Sequence, residues 1–214
     1  METVISQILF IGSGVFISLQ LLCGGFCIGL LVGTLLSIAR YNGIAVWIIN
    51  GFISLVRGTP LILQLSLVYF TVPTLLGISC NVITAGVVTF GLNSAAYIAE
   101  ILRAGIQSIP KGQFEAAKTL QISSFYLWKD IIFPQVLRTV FPALIHEVIA
   151  LLKETALIAT IGGMDIMRKS QMIAAEHFTY FMPLCIAGCY YYVFVLCIEY
   201  GGKKIEKGIW HGNH

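Results

Sequence analysis

Charge is what this chain has least of. Only 11% of its 214 residues are Asp, Glu, Lys or Arg, against about a quarter in soluble domains. That scarcity excludes water as the main solvent of its surface. Period-two alternation is also missing, which excludes a barrel. The apolar residues, 57% of the chain, come in long unbroken runs, as spanning helices require. The net charge of +3 is small and concentrated in a few loops, so no nucleic-acid partner is expected. The opening METVISQILFIGSG has no Lys or Arg before its apolar run. That run outlasts a signal peptide's apolar core and lacks a small-residue cleavage site, so no removed leader is expected. The only Gly-Lys dipeptide is Gly202-Lys203, and a phosphate-binding loop would need glycine where Cys197 stands. ATP hydrolysis is therefore not expected in this chain. No nucleophile–base pair or HExxH-type cluster points to a membrane enzyme.

The six cysteines are Cys23, Cys27, Cys80, Cys185, Cys189 and Cys197. Two pairs stand four apart, but no His or carboxylate converges on either. They read as small apolar residues in lipid, with neither a metal site nor a disulfide framework implied.

What is present is a single all-α membrane domain over residues 1–214, a polytopic helical bundle. Five runs reach the roughly 20 residues a span needs: 8–39, 53–72, 82–102, 140–161 and 181–200. The first is long enough to tilt or to include an interfacial turn. Tyr41-Asn42-Gly43 breaks the chain after it, and Thr71-Val72-Pro73 is expected to end the second. With the N-terminus outside, Arg40, Arg57, Arg103, Lys111, Lys118, Lys129, Arg138, Lys203, Lys204 and Lys207 all fall on the inner side. Only Arg168 and Lys169 fall outside, and Lys153 lies within a span. The outer loop over 71–81 has no basic residue. The bias sets the N-terminus outside and the C-terminus in the cytoplasm.

One polar stretch, SIPKGQFEAAKTLQISS (108–124), interrupts the apolar runs. Pro110 and Gly112 open it, and residues 113–120 place Phe114, Ala117 and Leu120 near one helical face. Ser123 or Ser124 is expected to cap a second helix carrying Phe125, Trp128 and Ile132, which Pro134 ends or kinks. The Ala116-Ala117 pair favours close approach by another surface. Periodicity alone fits equally a pair of helices lying on the bilayer and a knob projecting into a partner.

GQFEAAKTLQISSFYLWKDIIFPQ resembles the EAA loop of ABC importer permeases: EAA, three residues, Gly, about nine residues, then I-x-L-P. Glu115-Ala116-Ala117 and Ile131-Ile132-Phe133-Pro134 match, with Phe in the Leu place and Gln121 in the Gly place. The latter departure suggests a turn that needs no positive φ, or a slightly different docking geometry. LVRGTPLILQLSLVYF, GLNSAAYIAEILRAGIQSIPKGQFEAA and LLKETALIATIGGMDI are similar, in order, to segments of the polar-amino-acid uptake branch. Ala156 takes the Ser place in the last.

The resemblance implies a type I ABC importer permease with five transmembrane helices in the bacterial inner (plasma) membrane. It implies a second permease, identical or homologous, two cytoplasmic ATPase subunits and an extracytoplasmic solute-binding protein. ATP and magnesium would be used by the partner ATPase, and no cofactor by this chain. The loop at about 104–138 would hold the coupling helix. Gly112, Phe114, Glu115, Ala116, Ala117, Leu120, Gln121 and Pro134 would form the ATPase-coupling set, with Phe114 and Leu120 as anchors.

Charges at membrane depth mark a pathway or a partner. Asn93, Tyr97 and Glu100 share one face of the third span. Glu147 and Glu154 share a face of the fourth, with His146 and Lys153 beside them. Such a lining suits a glutamine- or arginine-like solute, carboxylates meeting its ammonium and Lys153 or backbone N–H groups its carboxylate. Equally, Glu100 lies one turn before Arg103 and the two can simply pair. Arg57-Gly58-Thr59-Pro60 reads as the inner start of the second span, with Pro60 in a first turn. Gly24, Gly25, Gly29 and Gly33 read as a close-packing helix face. The alternative reading is an ion-coupled carrier or channel, but no paired broken helices or internal symmetry supports it.

Overall fold

A chain whose backbone meets no water must close its hydrogen bonds locally. In the computed structural model, which describes residues 2–77 and 79–211, the described residues are helical with no strand. The first apolar run is two helices, α1 (Glu2–Gly12) and α2 (Val15–Tyr41), with a turn at Ser13–Gly14 between them. It ends where expected. Gly43 takes φ +75, and the Ile44 amide donates to the Ala39 carbonyl at 2.9 Å, a left-handed cap that stops the helix.

The second run is not one straight span. α3 (Val46–Gly58) and α4 (Leu61–Ser66) meet at Thr59-Pro60, and the stretches Val46–Gly58 and Leu61–Leu75 are bent by 105°. Pro60 cannot continue α3 and instead opens α4 at φ −62, ψ 133. The carbonyls freed at the corner are collected by Gln64. Its Nε2 donates to the Val56 carbonyl at 2.7 Å, and to the carbonyl and Oγ1 of Thr59 at 3.2 and 2.9 Å.

Nor does Thr71-Val72-Pro73 end this run. A π-helical turn, Leu67–Thr71, feeds α5 (Val72–Leu76), and the end comes at Gly77 with φ +65. A second π turn, Leu127–Ile132, occurs in the same setting, with one residue, Phe133, between it and Pro134. In both, the residue before the proline bonds five residues back, Val72 to Leu67 and Phe133 to Trp128. The wider ring relieves the clash that a proline makes with the helix behind it.

α6 (Val82–Gln107) is the central helix. α2 lies on it along Gly25, Gly29 and Gly33. A Cβ on Gly29 would stand 2.7 Å from Ser94 Cβ, and one on Gly33 2.8 Å from the Ala95 carbonyl, so only glycine permits this approach. After α6 come α7 (Lys111–Thr119), α8 (Ser124–Tyr126), α9 (Phe133–Glu154), a 3-10 stretch Thr155–Ile161, α10 (Ile166–Glu176) and α11 (Phe181–His211). Leu21, Leu65, Phe90, Leu151, Leu152 and Ile158 are fully buried where α2, α4, α6 and α9 meet.

Among the described residues three helical stretches are long and apolar enough to cross a membrane: Val4–Tyr41, which joins α1 and α2, Val82–Gln107 and Phe181–Gly208. The bent pair makes a fourth. The remaining expected span falls on α9, which carries Arg138, Glu147, Lys153 and Glu154 and is not among these stretches. Within the expected outer loop, residue 78 lies outside the described residues.

Candidate functional site: a polar elbow and an intramembrane polar seam

α7 and α8 form the elbow. Pro110, extended at ψ 134, precedes α7, and its carbonyl accepts from the Gln113 amide at 3.0 Å. α7 ends in a left-handed cap: Ile122 N–H to the Ala117 carbonyl at 2.9 Å, Gln121 N–H to the Lys118 carbonyl at 3.1 Å. Gln121 itself sits at φ +54. The glycine place in the motif therefore does need a positive φ here, contrary to the first option its side chain suggested. Ser123 occupies the cap position before α8 but makes no side-chain capping bond. Pro134 does not end the second helix; the π turn absorbs it and the chain runs on into α9.

The packing splits the expected coupling residues into two sets. Phe114 turns inward, its ring 6.4 Å from Trp128, into a cluster with Ile109, Ile132, Val136 and Val140. Ala117 is 2% exposed. Neither is free for a partner, so the alanine pair is not one docking surface. Ala116 faces out with Gly112, Glu115 and Gln121. Leu120 stands 71% exposed and Phe125 68%. Phe125 and Tyr126 lie outside the expected docking set, although both are large apolar side chains in a polar loop. The elbow is stitched to the bundle: Trp128 meets the Tyr41 ring at 4.9 Å. Just above it, α6 and α9 close to the point where a Cβ on Gly105 would lie 2.1 Å from Val140 Cγ1.

The intramembrane polar residues also separate. Ser94 Oγ donates to Glu147 Oε1 at 2.7 Å, a buried bond between α6 and α9. Asn93 is buried beside it in the chain and Glu154 half-buried, whereas His146 and Lys153 face outward. Ser94 carried a usable signal, a small hydroxyl in an apolar helix, but nothing local named its partner.

Tyr97 and Glu100 belong to a different cluster. Glu100 pairs with Arg40 from α2, with Arg103 at 2.7 Å, and with Arg57 of α3 at 3.8 Å. The Arg57 guanidinium also lies 5.2 Å over the Tyr97 ring. The corner of the bent pair is thereby tied to α6, and the Arg103 pairing suggested by spacing is present.

On the far side from the elbow, Asp165 is fully buried. Its carboxylate caps α10, accepting from Met167 N–H at 3.2 Å and Arg168 N–H at 2.9 Å. Tyr191 O–H adds a third bond at 3.1 Å. Burial pushes the Asp165 carboxyl above its ordinary range, and these donors pull it back. The cap was legible as Asp before a periodic run.

Residues 25–211 match the family described as binding-protein-dependent transport system inner membrane component. The chain is 45% identical over 203 residues to the GlnP permease protein of Rickettsia typhi, named for a glutamine transport system. That match covers 94% of this chain and 93% of its relative. ArtQ of Bacillus subtilis (strain 168), named as an arginine transport system permease, is 42% identical over 205 residues, 95% and 94% of the two chains. A solved amino acid ABC transporter with histidines superposes with a TM-score of 0.88 at 32% identity, over 96% of each chain. The inward-facing MetNI methionine ABC transporter gives 0.74 at 20% identity, a likeness of fold alone.

Proposed function

Since the chain belongs to the family of binding-protein-dependent transport system inner membrane components, we propose that it is the permease subunit of an ATP-driven importer for a polar amino acid, glutamine- or arginine-like. Its relatives named for glutamine and arginine transport support that solute class. Residues 1–214 act as one membrane domain, paired with a second permease. Two cytoplasmic ATPase subunits supply the hydrolysis, and an extracytoplasmic binding protein delivers the solute. The basic residues set the N-terminus outside and the elbow in the cytoplasm.

One observation carries this reading. The elbow exposes Leu120, Phe125 and Tyr126 along with Glu115 and Ala116, while Phe114 packs into the cluster that α6 and α9 share and Ala117 is buried. An exposed apolar tip on a rigid stem is what a motor needs to move spans as bodies. The solute path follows the α6–α9 seam, where Asn93, the Ser94–Glu147 pair and Glu154 supply its polar groups; the burial of Asn93, Ser94 and Glu147 means that the seam opens when the solute passes. Tyr97 and Glu100 brace the inner end, and Lys153 faces away from the seam.

The test is affinity purification of the tagged chain from its native membranes. The wild type brings down an ATP-hydrolysing subunit, and Leu120→Asp, at equal membrane levels, loses it about ten-fold or more. Equal recovery with Leu120→Asp would remove the docking role from this surface.

A further inference from the structure

At the elbow end of the bundle, a cavity of about 420 Å³ opens between the ends of α2, α3 and α6. Arg40, Arg103, Asn50 and Gln107 give it polar walls, and Val46 and Ile106 apolar ones. Solute passage along the α6–α9 seam makes no use of it. We propose that this cavity binds the phosphate head group of an anionic phospholipid from the cytoplasmic leaflet.

Charge is the first argument. Arg40, Arg57 and Arg103 converge on the single carboxylate of Glu100, which leaves two positive charges in surplus among these four groups. Arg103 holds Glu100 through Nε and Nη2 and the Gln107 amide oxygen through Nη1, so it offers a phosphate its charge rather than a free fork. Guanidinium groups keep that charge at any physiological pH. Asn50 and Gln107 add amide donors on the same walls.

Depth is the second. Tyr41, 53% exposed, lines the cavity, and Trp47, 87% exposed, follows the lining residue Val46 in the chain; such rings settle at head-group level. Ile44, 60% exposed in the turn between the lining residues Tyr41 and Val46, is apolar ground for the glycerol and upper acyl carbons. A free phosphate ion would leave that ground and the apolar walls unused. The site also reaches the elbow, since Tyr41 packs on Trp128, so a seated lipid braces the coupling segment. The choice of leaflet rests on the orientation proposed above; the head-group chemistry does not.

The experiment uses the permease with its ATPase, reconstituted with equal phosphatidylglycerol and phosphatidylcholine, then extracted and weighed by native mass spectrometry. The wild type retains phosphatidylglycerol about ten-fold over phosphatidylcholine. Asn50→Asp, which adds a negative charge without touching the Glu100 pairs, lowers that excess about five-fold, and Asn50→Arg raises it. Millimolar inorganic phosphate leaves retention unaltered. Equal retention of the two lipids, indifference to both Asn50 variants, or displacement by inorganic phosphate would overturn the site. With the ATPase still bound, such a result removes the lipid and leaves the transporter reading intact. Loss of the ATPase from the wild type would instead strike the transporter reading.

Discussion

In the elbow, Phe114 and Ala117 turn inward while Leu120, Phe125 and Tyr126 stand exposed. In the seam between α6 and α9, Ser94 and Glu147 turn inward while the outer helices carry exposed Leu and Phe side chains. The same exposure means opposite things in the two places. In water an uncovered apolar tip costs free energy and points to a partner. In lipid an apolar surface is at rest, and a buried carboxylate is the costly feature that needs a reason. Each region is therefore read by what its solvent penalises.

The comparison breaks most severely at the junction of the two regions. Gly105→Leu places carbon where Val140 Cγ1 already stands, 2.1 Å from an ideal Cβ. We expect a loss of about 3 kcal/mol or more, seen as failure to recover monodisperse protein by size-exclusion chromatography. Recovery with an unchanged Tm would mean the helices do not close there.

Smaller, and sharper, is the contrast between neighbouring alanines. Ala117→Glu buries a charge at a site 2% exposed and should cost about 2–3 kcal/mol, lowering Tm in detergent. Ala116→Glu should leave Tm unchanged and reduce ATPase capture. Identical behaviour of the two variants would erase the division between stem and docking face.

The smallest effect has the opposite sign. Gln121 holds φ +54, a conformation costing a side chain roughly 1 kcal/mol that glycine escapes. Gln121→Gly should raise Tm slightly with ATPase capture retained. A lower Tm would show that the glutamine side chain has a stabilising contact of its own.

Several of these features were legible beforehand and others were not, for identifiable reasons. The glycine face of α2 could be read because its i,i+4 spacing is local, and Gly25, Gly29 and Gly33 do lie on α6. Pro60 announced a helix start, since a proline removes a donor wherever it sits. The 105° corner did not follow, because its angle depends on Gln64 reaching back to Val56 and Thr59. Spacing suggested that Glu100 meets Arg103, three residues on. It was silent on Arg40 and Arg57, which belong to other helices. The elbow's two helices were visible in Pro110 and the 3.6-residue period. Which alanine faced out was not, since a one-residue rotation about the helix axis is settled by Trp128 and the α9 stem.

Composition by itself determined that this is a helical membrane chain with one polar elbow, because lipid tolerates neither open backbone nor unpaired charge and the residue types declare both. Tertiary structure alone decided which polar groups meet, how sharply the broken span turns and which side of the elbow is presented. Those depend on contacts between residues distant in the chain, and no local pattern encodes a partner's position.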